Sequence, residues 1–153
     1  MRAKSFYWAI AILTAGLPAS AKSPGATHCY KKVCHRVQTA AETRGQIGVE
    51  KLVRASFYDH CKLDAGNPCS LTSSGEQLRA DLPDNAASPI YPDGTVLQLT
   101  NPRNGAKAEV RINNAGPYAQ GRILDVSRAA AEQLGFTDVG VTDLLSTIVA
   151  APP

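Results

Sequence analysis

The sequence predicts an all-β fold, a small barrel with one or two short helices, on three observations. Ala108, Val110 and Ile112 alternate with Glu109, Arg111 and Asn113, the period of two that sends successive side chains to opposite faces of a sheet. Other short apolar segments are divided by clusters of Pro, Gly, Asn and Asp, the residues that turn a chain. Arg128 to Leu134 is the one stretch that reads clearly as helix, and several short strands around one short helix suit a small barrel.

The elements follow in order from the N-terminus. Arg2 and Lys4 precede an apolar run from Phe6 to Leu17, and Ala19-Ser20-Ala21 follows as an A-x-A cleavage site; this three-part grammar predicts a signal peptide over residues 1–21. The run is shorter than the roughly 20 apolar residues needed to cross a bilayer, and no cysteine stands at the cleavage point to accept a lipid. A periplasmic or secreted product with no membrane anchor after cleavage is therefore expected. Residues 22–50 are polar and mixed, an N-terminal arm with a weakly helical stretch from Val37 to Gln46. Residues 51–150 form the expected barrel domain. Its strands are predicted at Leu52 to Tyr58, Thr95 to Thr100, Ala108 to Asn113 and Leu144 to Val149, with a hairpin turn at Asn101-Pro102-Arg103-Asn104-Gly105. Asp84 to Ser88 reads as a short helical turn stopped by Pro89. Asp125-Val126-Ser127 reads as the opening of the helix that Gly135 ends.

Charge narrows the partners. Removing Arg2 and Lys4 leaves 14 basic against 13 acidic side chains, a net charge of +1, too near neutral to capture nucleic acid or anionic lipid electrostatically. About 130 residues suit one domain, expected to act as a monomer.

Cys29, Cys34, Cys61 and Cys69 follow the cleavage site, and an even count in an exported chain reads as two disulfides. Three connectivities are possible; the local pairs Cys29 with Cys34 and Cys61 with Cys69 each close a short loop. Two thiols followed by His35 suggest haem attachment, but that motif is C-x-x-C-H and four residues intervene here. Zinc has His and Cys ligands to draw on. Disulfides are the preferred reading, with no metal and no cofactor expected.

Several further stretches run in a familiar order: Ala55-Ser56-Phe57-Tyr58, Thr72-Ser73-Ser74-Gly75-Glu76, Asp93-Gly94-Thr95, Val110 through Tyr118, and Gly121 through Ala131 followed by Leu134-Gly135. Together they resemble the rare lipoprotein A (RlpA) family over about residues 52–150. The resemblance implies a six-stranded double-psi β-barrel and a lytic transglycosylase acting on peptidoglycan glycan strands. Such an enzyme cleaves without water, closing the muramyl 6-hydroxyl onto C1 to leave a 1,6-anhydro end. One acid that protonates the leaving oxygen and later takes the hydroxyl proton can serve this chemistry, and the second carboxylate of a hydrolase is dispensable.

The family motifs imply Glu76 and Asp125 as catalytic, with Tyr58, Ser88, Arg111, Asn114 and Tyr118 as substrate-binding residues. Each acid also has a plainer reading, Glu76 as a solvated loop carboxylate and Asp125 as a helix cap. The chain departs from the family at two motif positions. Ala86-Ala87-Ser88 stands where the family has alanine-alanine-histidine, and Asn113-Asn114-Ala115-Gly116-Pro117 where it has N-D-R-G-P. These departures keep open an alternative, a non-catalytic glycan-binding barrel of the expansin kind.

Overall fold

A strand with one apolar edge and one polar edge must bury the first, and a sheet of such strands does so by closing on itself. A computed structural model describes residues 22–59 and 71–153. The expected signal peptide and the Cys61–Cys69 loop lie outside the described residues.

The chain begins with a hairpin, β1 (Thr27–Tyr30) and β2 (Val33–Arg36), then a short helix, α1 (Ala40–Arg44). There follow β3 (Glu50–Tyr58), β4 (Asn85–Ala87), β5 (Val96–Thr100), β6 (Lys107–Asn114), β7 (Leu124–Ser127), α2 (Arg128–Leu134) and β8 (Val141–Ala150). Strands β3-β7-β4-β6-β5-β8 close a six-stranded barrel. The β3/β7 and β4/β6 pairs are parallel and the other four antiparallel, the mixed closed barrel expected of a double-psi fold. Leu97, Leu99, Val110, Ile112, Val126 and Leu144 fill its interior.

Two segments differ from the sequence expectation. Asp84 to Ser88 is not a helical turn: Asn85–Ala87 is β4, all three residues buried between parallel β6 and antiparallel β7. The helix preference of two alanines yields to ladder hydrogen bonds available on both sides. Asp125-Val126-Ser127 likewise belongs to strand β7, and the cap of α2 is Ser127, whose side chain accepts from the Ala130 N–H at 3.1 Å. A serine at this position satisfies an otherwise unpaired helix donor and leaves Asp125 uncommitted to capping.

The arm is more ordered than its composition suggests. Cys29 and Cys34 sit directly opposite in the β1–β2 register and are joined by a disulfide, as expected. Lys31 and Lys32 make the turn with φ of +46° and +70°, a conformation that costs a non-glycine residue roughly 1–2 kcal/mol and that Asn-Gly normally supplies. Closing the loop covalently offsets part of that cost by limiting the unfolded chain. A backbone bond from Val37 N to Ala26 O (2.9 Å) closes the arm on itself, and one from Gln38 N to Ile90 O (2.8 Å) ties it to the barrel domain. Thr39 and Glu42 then cap α1 reciprocally.

Helix α2 ends at Gly135, whose φ of +69° is left-handed. A Cβ there would meet Asn104 Nδ2 at 2.6 Å, and that nitrogen already donates to Leu134 O at 3.1 Å. Gly135→Ala is therefore expected to cost about 1–2 kcal/mol, from backbone strain and a displaced hydrogen bond. A lowered urea midpoint with an unchanged slope is the expected result.

Candidate active site

Alternation decides which side chains leave the barrel. Val110 and Ile112 point inward on β6, so Arg111 and Asn113 emerge on the outer face. Ala86 points inward on β4, sending out Asn85 and Ala87; Leu124 and Val126 do so on β7, sending out Asp125. On β3 the inward Ala55 leaves Ser56 and Tyr58 outside. Because β6, β4, β7 and β3 are successive neighbours, these residues share the outer side of the sheet, with Asn85, Asn113 and Ser56 buried beneath their neighbours.

The Thr72–Glu76 loop lies against the β6 end of that surface. Ser74 N donates to Asn113 O at 3.1 Å, Ser73 N to Asn114 Oδ1 at 3.1 Å and Thr72 N to Glu76 O at 2.8 Å. Gly75, at φ +85°, provides the left-handed residue that turns the loop. Glu76 then receives both Arg111 amino groups, at 2.9 and 2.7 Å, and Asn113 Nδ2 at 2.9 Å. The Arg111 hydrogen bonds, followed by that of Asn113, hold the Glu76 carboxyl below its ordinary range although its side chain is 44% exposed. A bidentate guanidinium is the geometry that best fixes a carboxylate as an anion.

Asp125 has the opposite environment. It is mostly buried, and that burial pushes its carboxyl up against the opposing effects of the Ser56 hydrogen bond and the Arg122 charge. Ser56 Oγ donates to Oδ1 at 2.6 Å. Tyr58, two residues along the same face, has its hydroxyl pushed up by burial and by the negative Asp125 and Asp84, and the buried hydroxyl has no hydrogen-bond partner among the described residues. Strands β6 and β7 are separated by β4 alone, so their backbones lie about 10 Å apart.

The remaining expected site residues are placed differently. Ser88 is fully buried, its hydroxyl donating to Ile123 O at 3.0 Å and accepting from Ile90 N and Tyr91 N at 3.3 and 3.2 Å. Asn114 braces the loop, with Oδ1 accepting from Ser73 N and from Ala115 N at 2.9 Å. Tyr118 stands at the margin, its ring 5.8 Å from that of Tyr30 in the hairpin. The Cys29–Cys34 bond takes both thiolates out of any haem or zinc ligand set. Cys61 and Cys69 lie outside the described residues.

Lys22 is a participant the sequence does not announce. Its side chain is 2% exposed, and Nζ reaches Ser88 O at 2.6 Å, Asn114 O at 3.1 Å and Asp93 Oδ1 at 3.1 Å. All three ammonium donors are thereby satisfied, which a buried charge requires. Burial lowers the Lys22 pKa, opposed by Asp93. Asp93 in turn accepts from Ser73 Oγ at 2.8 Å, tying the arm to the loop that carries Glu76.

The family described as lytic transglycolase, a double-psi β-barrel family, matches residues 50–145, and the chain belongs to it. The probable endolytic peptidoglycan transglycosylase RlpA of Nostoc is 41% identical over 87 residues, covering 57% of this chain and 22% of that protein. The endolytic peptidoglycan transglycosylase RlpA of Pasteurella multocida is 39% identical over 119 residues, covering 75% of this chain and 37% of that protein. The chain thus spans well under half the length of these curated relatives. Among solved structures, Streptomyces papain inhibitor (SPI) aligns with a TM-score of 0.53 at 20% identity, over 68% of this chain and 97% of that one. That likeness is one of fold.

The raised Asp125 carboxyl carries a stability consequence. Between its ordinary value of 3.8 and its higher folded value, the native protein binds more protons than the unfolded chain, so this group costs stability as pH rises. Asp125→Asn keeps an acceptor for Ser56 and removes the buried charge. The variant is expected to be more stable than wild type by roughly 1 kcal/mol near pH 7, with the gain vanishing below the ordinary aspartate range. Thermal melts across pH check both limbs.

Proposed function

We propose that this chain cleaves peptidoglycan glycan strands as a lytic transglycosylase, with Asp125 transferring the proton and Glu76 remaining ionised. The observation that carries this reading is the split between two carboxyls on one outer face, one raised by burial and the other lowered by Arg111 and Asn113. Paired acids whose environments push them apart are suited to different tasks in one reaction. The relatives named for peptidoglycan transglycosylase activity support the substrate, and a substrate of that kind lies outside the cytoplasm, in keeping with the expected signal peptide.

Protonated Asp125 donates to the glycosidic oxygen as the bond from that oxygen to muramyl C1 breaks. The Glu76 carboxylate faces the positive charge that develops at C1 and ring oxygen, an electrostatic contribution that is greatest in the transition state. The muramyl 6-hydroxyl then closes on C1, and the Asp125 carboxylate takes its proton, which restores the acid without water. Tyr58 and Tyr118 offer aromatic faces to sugar rings. Both acids belong to one barrel, so a monomer suffices.

Ser88 and Asn114 favour a second reading, the non-catalytic glycan-binding barrel. The Ser88 hydroxyl is enclosed and the Asn114 Oδ1 is occupied by two backbone donors; neither group can move a proton. Turnover is accordingly expected to be slow, since losing one acid-base group typically costs about a hundred- to ten-thousandfold.

Digestion of purified sacculi separates the two readings. Slow release of products with 1,6-anhydromuramic ends is expected from wild type. Asp125→Asn should reduce it at least about a hundredfold and Glu76→Gln by up to about that factor, while sacculus binding survives in both. Asn114→Asp, whose carboxylate can accept the same two backbone N–H groups, is expected to fold normally and raise the rate. Absence of anhydro products over long digestion, with a known transglycosylase active on the same sacculi, assigns the barrel to binding alone.

A further inference from the structure

The surface carrying Glu76 and Asp125 continues onto the N-terminal arm, which is fastened at its start by the buried Lys22 ammonium between Ser88 O, Asn114 O and Asp93. Register and alternation put His28, Tyr30, Val33 and His35 on one face of the hairpin. Three of these are half-buried, whereas Tyr30 is 54% exposed. Tyr30 leans on Tyr118, with ring centroids 5.8 Å apart and planes at 48°, so two aromatic rings meet at this edge of the hairpin. Tyr118 belongs to the loop that follows β6, so the ring pair extends the candidate site rather than standing apart from it.

A cation lies over one ring of this pair. Lys31 Nζ lies 5.3 Å from the Tyr30 ring centroid, and neither Lys31 nor Lys32 has a carboxylate partner among the described residues. Both occupy left-handed φ, where Asn-Gly would sit without strain. Backbone strain is often held at binding sites, and what this turn presents is the Lys31 ammonium over the Tyr30 ring, with Lys32 next to it in the chain. Sugar rings expose apolar C–H faces that stack on such rings, and carboxylates pair with such cations.

We propose that the hairpin forms a second glycan subsite, in which the Tyr30–Tyr118 pair takes the face of a muramyl residue and Lys31 and Lys32 take its carboxylate. The inference rests on the reading that the ligand is peptidoglycan. The carboxylate belongs either to the lactyl group of a peptide-free strand or to the stem peptide, and both present the same chemistry to the two lysines.

Titration of the full mature chain by two-dimensional amide NMR tests this with three probes: amidase-stripped glycan strands, a disaccharide–tetrapeptide muropeptide and the neutral N-acetylglucosamine tetramer. Amide signals of residues 30–32 and Tyr118 are expected to move with at least one carboxylate-bearing probe, and which of the two acts more strongly identifies the source. Lys31→Ala with Lys32→Ala is expected to weaken that probe about three- to tenfold, the scale of exposed ion pairs, and to leave the neutral tetramer unchanged. Tyr30→Ala should weaken all probes that bind. Shifts confined to Glu76, Arg111 and Asp125, with a silent hairpin, overturn the subsite and leave the proposed function standing. Undiminished binding by the double lysine variant also overturns the subsite, and absence of shifts anywhere overturns both.

Discussion

The pairing of β4 with parallel β6 on one side and antiparallel β7 on the other is the constraint on which the candidate site depends. Three residues long, this strand buries Ala86 inward and fixes the spacing of its neighbours, so that Asn113 and Asp125 emerge on the same outer face. Asn85 joins the arrangement from β4 itself, its Oδ1 accepting from Asn113 Nδ2 at 3.1 Å. The Thr72–Glu76 loop then docks on the Asn113 and Asn114 backbone and side chain, and Glu76 reaches Arg111. Asp125 is set by the ladder register of β7, whereas Glu76 comes from the long connection between β3 and β4 and is fixed by its bonds to β6.

The two acids are tuned by different physics. Asp125 is partly withdrawn from water, and a carboxylate that loses hydration without a full ionic partner holds its proton longer. Glu76 keeps access to water yet has three donors from Arg111 and Asn113, so its anion is the favoured form. Because the first effect opposes folding at neutral pH, it marks Asp125 as a group retained at a cost in stability, a common property of functional sites. Lys22 is also a buried charge, but its three acceptors include Asp93, and its role is to hold arm and loop together.

Much of the barrel was legible from residues alone. The alternation in Ala108 to Asn113 defines β6, and the turn residues at 101–105 define the hairpin that leads into it. The segment at Asp84 to Ser88 was not, because two adjacent alanines carry a helical preference and only the partners on either side reveal a strand. Asp125 reads as a helix cap for a similar local reason, since Ser127 two residues later is an equally good cap and the choice depends on where β7 ends. The motif positions Glu76 and Arg111 were visible, but their bidentate pairing required the loop to be folded onto β6. Lys22 had no signal at all: a lysine beside an expected cleavage site looks like a solvated terminus, and its burial depends on acceptors 66 and 92 residues away.

Side-chain carboxyl titration by carbon-detected NMR on residues 22–153 tests the central claim most directly, because it follows Glu76 and Asp125 separately without relying on turnover. The account predicts that Asp125 titrates above the ordinary aspartate range and Glu76 below the ordinary glutamate range, with Arg111→Met raising the Glu76 midpoint while the Asp125 midpoint stays high. Two ordinary midpoints, or Asp125 titrating below Glu76, would contradict it.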